Sequence, residues 1–264
     1  MVKHCGMSIW FFLLTAGSWL SCGQRGEELQ GEKKDGERTG AGDTVAALIA
    51  HSTVADTSGM HADLRIIERK LGPLAPEIRD QLEVVEVRYF SFIDSTYSAV
   101  DKEKRYTGVL LVHSCIADDV RRLFQAFEQD TFPIAKVVPI NRYGLNADST
   151  GWNDPASMAD NNTSAFNYRG KAHVPETSKH AQGIAIDINP EQNPLVIRTV
   201  TGSMVEPKGA SYRPDSLGSL NRTNTAKYLR ALGWSWGGRW PRPQDHQHIE
   251  KSRGSCAHLR FTLR

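Results

Sequence analysis

The chain has 264 residues, of which 39% are hydrophobic and 23% are charged. This composition is typical of a globular protein with one sizeable core and excludes a disordered or fibrous chain. The formal net charge of +2 creates no strong field to attract nucleic acid or an anionic membrane surface, so we expect no nucleic-acid partner and a function that depends on a local site.

The first 22 residues have the layout of a secretory signal peptide. Lys3 precedes an apolar run over 9–14, and small residues follow up to Cys22. The ending "WLSC" resembles a bacterial lipobox, in which the cysteine is lipidated and becomes the mature N-terminus, although Trp19 stands where leucine is usual. The alternative is a plain signal peptide that is cleaved nearby. In both cases we expect an exported protein of the periplasm or cell envelope, anchored to the membrane through Cys22 if that residue is lipidated.

The next residues predict a tether and a helical segment. Residues 23–43 are rich in Gly, Glu, Lys and Arg, with one leucine and no aromatic residue, so they cannot bury enough apolar surface to fold. Residues 44–80 are expected to form an N-terminal helical segment, since apolar residues recur at helical spacing over 60–71.

A sheet and a helix are predicted next along the chain. The runs "LEVVEVRYFSF" (82–92) and "TGVLLVHSCI" (107–116) contain the β-branched and aromatic residues that favour strands. The run "ADDVRRLFQAFEQDTF" (117–132) has apolar residues at helical spacing, and "IAKVVPI" (134–140) predicts a third short strand.

Two cysteines lie outside the export segment, Cys115 and Cys256. Disulfides persist in exported proteins, and this spacing fits no C-x-x-C metal motif. A structural disulfide and two separately buried thiols are both compatible with the sequence.

The run "SKHAQGIAIDINP" (178–190) predicts a strand that carries polar groups on one face. Ile184, Ile186 and Ile188 alternate with Ala185 and Asp187, so the isoleucines should face the core and Asp187 the opposite side. His180 stands at the entrance of this strand and could reach the same side.

A second polar run, "DHQHIE" (245–250), lies near the end of the chain. The same alternation puts His246, His248 and Glu250 on one side of a strand, with Asp245 at the turn that leads into it. His180, Asp187 and His248 would then offer two imidazoles and one carboxylate, a ligand set that suits zinc with an open fourth position.

In combination, these motifs resemble a known family. The runs "SKHAQGIAIDINP", "WSWGGRW" (234–240) and "DHQHIE", with "NNTSAFNYR" (161–169) upstream, are similar to the zinc D,D-carboxypeptidases and L,D- or D,D-endopeptidases of bacterial cell walls, peptidase family M15. The resemblance implies an α+β fold in which a small, mostly antiparallel sheet carries the zinc site and helices pack on one face. The resemblance runs from about Val84 to Ile249, and we expect residues 81–264 to form the zinc peptidase domain.

The resemblance implies a role for each matching residue. His180, Asp187 and His248 would bind one Zn²⁺ per chain, and Asp245 would be the general base. These roles fit the chemistry, because an amide is a poor electrophile and water a poor nucleophile, so a metal must activate both while a carboxylate accepts the proton.

Further residues are implied around the metal. Arg169 lies where the family keeps an arginine that contacts the substrate, and it could hold a terminal carboxylate or stabilise the oxyanion. Ser178 and Trp236 are implied as substrate contacts, and Glu250 as an acceptor that orients a ligating histidine. His246 could assist catalysis, because the pair of His246 and His248 also matches the H-x-H signature of a related group of cell-wall zinc peptidases.

The expected activity is hydrolysis of an amide bond in peptidoglycan stem peptides by a monomeric enzyme. The sequence leaves open which bond is cut, since that depends on the length of the cleft and on the polar stretch over 141–182. The alternatives are a non-catalytic zinc-containing module that binds wall peptides, and a processing peptidase that acts on a protein.

Overall fold

The computed structural model describes residues 59–169 and 178–256, and these residues belong to one compact unit. The predicted signal peptide, the tether, Cys22 and the part of the helical segment before residue 59 lie outside the described residues. Within the described ranges, no helix is both long enough and apolar enough to cross a membrane.

The described parts of the chain contain five α-helices and eight strands. The helices are α1 (Met60–Leu71), α2 (Pro76–Arg79), α3 (Ser114–Gln129), α4 (Asp154–Ala159) and α5 (Arg222–Leu229). The strands are β1 (Leu82–Phe92), β2 (Val100–His113), β3 (Ala185–Asp187), β4 (Leu195–Thr199), β5 (Gly202–Glu206), β6 (Trp234–Trp236), β7 (Gln244–Asp245) and β8 (His248–Lys251). Short 3₁₀ turns lie at Ile140–Tyr143, His180–Gln182, Gly237–Arg239 and Arg253–Cys256.

The strands form three small sheets, and every pairing between named strands is antiparallel. β1 pairs with β2, β8 lies between β3 and β6, and β4 lies between β5 and β7. The predicted α+β class, with a small antiparallel sheet that carries candidate ligands, is therefore confirmed.

The main core lies between the β1–β2 hairpin, α3 and the β3–β8–β6 sheet. α3 is amphipathic and buries Phe124 and Phe127 against this core. Ile186 of β3 and Ile249 of β8 are register partners with no exposed surface. Ile186, with Ile184 and Ile188 on either side of β3, thus faces the core as the alternation predicts, which leaves the other side of this sheet for polar groups.

The boundaries of β2 and α3 differ from the predicted ones, and one predicted strand is wrong. β2 begins at Val100, earlier than predicted, and ends at His113, and its charged residues over 102–105 are exposed. α3 begins three residues early because the ring of His113 accepts a hydrogen bond from the backbone N–H of Cys115 at 3.1 Å, which caps the helix. The predicted strand over 134–140 is wrong: in this segment only Lys136 forms an isolated bridge, and the side chain of Asn162 bonds both the N–H and the C=O of Val138.

Cys115 and Cys256 form a disulfide, which decides between the two alternatives that the sequence leaves open. The bond ties the start of α3 to the last 3₁₀ turn, across a sequence separation of 141 residues. A crosslink of this length strongly restricts the unfolded chain.

Replacing both Cys115 and Cys256 with alanine should therefore lower the free energy of unfolding by about 3 kcal/mol. Urea unfolding of the oxidised wild type, the reduced wild type and the double variant would measure this effect. We expect the reduced wild type to resemble the variant, and equal midpoints for all three proteins would contradict the prediction.

Candidate active site

His180 is held by a 3₁₀ turn whose ends are fixed. The Ser178 hydroxyl accepts a hydrogen bond from the backbone N–H of His180 at 3.3 Å. The turn ends at Gly183, which adopts a left-handed conformation with φ +68°, and a Cβ there would lie 2.8 Å from the backbone nitrogen of His113. The glycine is thus needed both for its conformation and for this close approach.

Asp187 and His248 face each other across two strands. They are register partners in the antiparallel pair of β3 and β8, so their side chains emerge on the same face. The backbone of Asp187 is also fixed by two hydrogen bonds with Ser164, at 2.8 and 3.0 Å. The sheet register therefore brings together two residues that are 61 positions apart in sequence.

His180, Asp187 and His248 converge on one point, and all three are buried. The His180 Nε2 atom lies 3.0 Å from His248 Nδ1. The Asp187 carboxylate places one oxygen 3.2 Å from His180 Nε2 and the other 3.2 Å from His248 Nδ1. Together with a fourth position for water or substrate, two imidazoles and one carboxylate are a ligand set of catalytic zinc sites.

The outer contacts of the two imidazoles test whether this cluster fits a cation. His180 Nδ1 lies 2.7 Å from the carbonyl of Ala165, and His248 Nε2 lies 3.1 Å from a Glu250 carboxylate oxygen. Both partners accept, so each imidazole donates outward and turns a lone pair inward. Two lone pairs and a carboxylate then face one another in a buried space, which requires a proton or a metal ion between them. The donor set therefore fits a divalent metal.

The charges of the cluster also favour a bound cation. Burial alone would raise the pKa of Asp187, but the attraction of His180 and hydrogen bonds with both histidines hold it far below its ordinary range. Burial alone would lower the pKa of His248, whereas hydrogen bonds with Asp187 and Glu250 raise it to about 10. The pocket thus favours a bound positive charge beside an ionised Asp187.

Asp245 lies in the same cleft, in the short strand β7. Its backbone is a register partner of Leu195 in β4, and its Oδ1 atom is buried without a hydrogen-bond partner among the described residues. Burial, followed by repulsion from Asp187, raises the pKa of Asp245 to about 7. A carboxyl group with such a pKa can exchange protons near neutral pH, as a general base must.

The glycines of the "WSWGGRW" run make room for Asp245 and for the ring of Trp236. A Cβ on Gly237 would lie 2.6 Å from the Asp245 carbonyl oxygen, and one on Gly238 would lie 2.2 Å from the ring of Trp236. The 3₁₀ turn at Gly237–Arg239 can therefore lie directly against β7. This contact fixes the backbone that carries Asp245.

Arg169 lies in the cleft wall. Its guanidinium pairs with Asp154 at 3.1 Å, and its Nε is buried without a hydrogen-bond partner among the described residues. Asp154 thus holds the guanidinium in place in the cleft wall, where the side chain is still 37% exposed and can meet a ligand.

These residues share a cleft of about 820 Å³, within the range of small-molecule and peptide sites. The cleft brings together the predicted residues His180, Asp187, His248, Asp245, Arg169, Ser178 and Glu250. Other lining residues were not predicted from the sequence: they include Met158, Leu195, Glu206 and Gln247.

Two predicted residues are placed elsewhere. β7 ends at Asp245 and β8 begins at His248, so the single strand predicted for this run is interrupted. The ring of His246 stacks on Tyr212 with centroids 3.5 Å apart, burial lowers its pKa to about 4, and it does not line the cleft.

Trp236 likewise does not line the cleft. Its side chain is buried, and its Nε1 donates to the His246 carbonyl at 2.7 Å. Trp240, four residues later in the same run, lines the cleft instead, with its ring centroid 5.2 Å from that of His248. The pattern of tryptophans in the sequence does not distinguish a core residue from a wall residue.

Comparison with known proteins gives one match. A family model of M15 peptidases, described as D-alanyl-D-alanine carboxypeptidase, matches residues 172–251. No curated protein and no solved structure matches the chain at a significant level. The matched region, under a third of the chain, contains His180, Asp187, Asp245 and His248, and its similarity to the M15 peptidases supports a peptidase.

Proposed function

We propose that the protein is a zinc-dependent peptidase that hydrolyses an amide bond in peptidoglycan stem peptides. The observation that carries the proposal is the convergence of His180, Asp187 and His248 on one point in the cleft that also contains Asp245. The match to the D-alanyl-D-alanine carboxypeptidase family supports the choice of cell-wall peptides as the substrate class.

His180, Asp187 and His248 would hold one zinc ion. When bound, zinc supplies the Lewis acidity that polarises the scissile carbonyl and acidifies water. Glu250 accepts a hydrogen bond from His248 and so keeps the ligating nitrogen turned inward. Ser178 positions His180 through its backbone contact.

Asp245 accepts the proton of the attacking water and passes it to the leaving amine. Its unpartnered Oδ1 and its raised pKa support this role. Arg169, which lines the cleft with a partly exposed side chain, contacts a terminal carboxylate of the substrate or the oxyanion of the scissile carbonyl through its guanidinium.

We further propose that the protein acts outside the cytoplasm as a monomer. The Cys115–Cys256 disulfide supports an oxidising compartment. Lipidation of Cys22 would anchor the chain to the membrane, and a tether of about 20 residues would span about 25 Å on average.

Digestion of muropeptides from purified peptidoglycan, followed by mass spectrometry, tests the activity. Loss of a terminal alanine would identify a carboxypeptidase, and an internal cut would identify an endopeptidase. Equal product from the wild type and from Asp245→Ala and His248→Ala would refute catalysis at this site. Zinc binding without any product would favour the alternative of a non-catalytic binding module.

His246 offers a direct test of the site geometry. Because its ring stacks on Tyr212 and lies outside the cleft, we expect His246→Phe to preserve the ring contact and to keep kcat close to the wild-type value. Steady-state kinetics on a stem pentapeptide would measure this. A fall of about 100-fold or more, the loss typical of a missing general acid or base, would contradict the assigned placement.

A further inference from the structure

Gln247 enters the cleft because the strand is interrupted beside it. In a continuous strand over 245–250, Gln247 would face away from His248. Instead, His246 and Gln247 lie between β7 and β8. The interruption turns the ring of His246 onto Tyr212 and places Gln247 in the cleft wall, with only 3% of its surface exposed.

Gln247 is held by its backbone and by the nitrogen of its side-chain amide, whereas the amide oxygen is unpaired. Its backbone carbonyl accepts a hydrogen bond from the N–H of Ile188 at 3.0 Å, and its Nε2 donates to the sulphur of Met158 at 3.4 Å. Its Oε1 atom is buried and has no hydrogen-bond partner among the described residues. An unpaired buried carbonyl oxygen opposes folding, so a ligand that donates to it gains affinity.

The chemistry of the neighbouring groups indicates which kind of ligand group Gln247 would bind. The acidic groups that line the cleft, among them Asp245 and Glu206, suit protons or cations, whereas Arg169 suits anions. Gln247 also lines this cleft, two residues after the proposed base and directly before a proposed metal ligand, and its buried, unpaired Oε1 is a neutral acceptor. A peptide N–H is the neutral donor that every peptide substrate carries close to the bond that is cut.

We infer that Gln247 is a specificity-determining residue whose Oε1 accepts a hydrogen bond from a backbone N–H of the substrate that flanks the scissile bond. This inference rests on the proposed function of the site as a peptidase. The hydrogen bond is made when the substrate binds and persists through the reaction, so it affects KM and leaves kcat nearly unchanged.

Two substitutions test the acceptor. Gln247→Leu and Gln247→Met remove the amide oxygen and keep an apolar contact for Met158, so at least one of them should retain the fold, checked by thermal unfolding and zinc content. Gln244→Leu is the matched control, since Gln244 lies in β7 and bonds Arg198 outside the cleft. With a synthetic stem pentapeptide ending in D-Ala-D-Ala, we expect KM to rise about tenfold in the Gln247 variants and to stay unchanged in the control.

Calorimetric binding of the same pentapeptide to zinc-loaded Asp245→Asn protein separates this inference from the proposed function. A Kd raised about tenfold by the additional Gln247→Leu change supports the role of Gln247 even if the wild type cleaves nothing. Cleavage with unchanged KM and Kd in folded Gln247 variants would overturn the inference and leave the peptidase intact. A wild type that neither binds nor cleaves the peptide would overturn both.

Discussion

Asp245→Asn should lower kcat on a stem peptide by about 10²- to 10⁴-fold, the contribution typical of a general base. Asparagine keeps the size of the side chain and removes only its ability to accept a proton. Because Asp245 is not one of the three residues that converge on the candidate metal point, zinc content should stay at one ion per chain. Asp215→Asn, which changes an exposed aspartate outside the cleft, is the matched control and should keep full activity.

The same substitution should stabilise the metal-free protein at pH 8. The pKa of Asp245 is raised to about 7 in the folded protein, chiefly by burial, whereas the unfolded chain has the ordinary value. The folded state therefore binds the proton more tightly, and the stability of the wild type falls as pH rises from the ordinary pKa through about 7. Asparagine is not charged at any of these pH values. The Asp245→Asn variant should therefore be more stable than the wild type at pH 8, and the difference should be small at pH 4.

Urea unfolding at both pH values would measure this difference, alongside kcat. A less active but more stable variant is expected when a residue serves catalysis at a cost to the stability of the folded protein. If Asp245→Asn kept the wild-type kcat, Asp245 would not be the general base. Reduced stability at pH 8 would instead indicate that its carboxylate has a structural partner.

Features set by local periodicity could be predicted from the sequence. The helix over Met60–Leu71 and the strand over Leu82–Phe92 have the predicted boundaries, because each depends mainly on its own pattern of apolar residues. The alternating isoleucines around Asp187 also predicted which face of β3 packs into the main hydrophobic core. The candidate ligands could be predicted because His180, Asp187 and His248 lie in distinctive runs.

Features set by distant contacts could not be predicted. The pairing of Cys115 with Cys256 depends on where the chain places two segments far apart in sequence. The segment around Val138 has the composition of a strand, but the side chain of Asn162 satisfies its backbone groups. The break between β7 and β8 places His246 outside the cleft and Gln247 in its wall. The alternation of residue types in the sequence does not predict this break.

Zinc should stabilise the folded protein through His180, Asp187 and His248. Zinc in hundredfold excess over its Kd adds about 2.7 kcal/mol to the free energy of unfolding, which for a domain of this size raises Tm by roughly 5–10 °C. Chelation should reverse the shift, because it removes the ion that the inward lone pairs would bind. Thermal unfolding with and without zinc, combined with metal analysis of the dialysed protein, would measure both effects.

His248→Ala and Asp187→Asn should each abolish this zinc-dependent rise in Tm, because each removes one of the three candidate ligands, two of which the β3–β8 register holds together. His61→Ala is the matched control, since His61 is an exposed histidine on α1 outside the cleft, and it should keep the full shift. An equal shift in all four proteins would mean that zinc binds elsewhere. In that case the buried pair of histidines would have to be explained by a shared proton alone, and the proposed hydrolase would lose its metal.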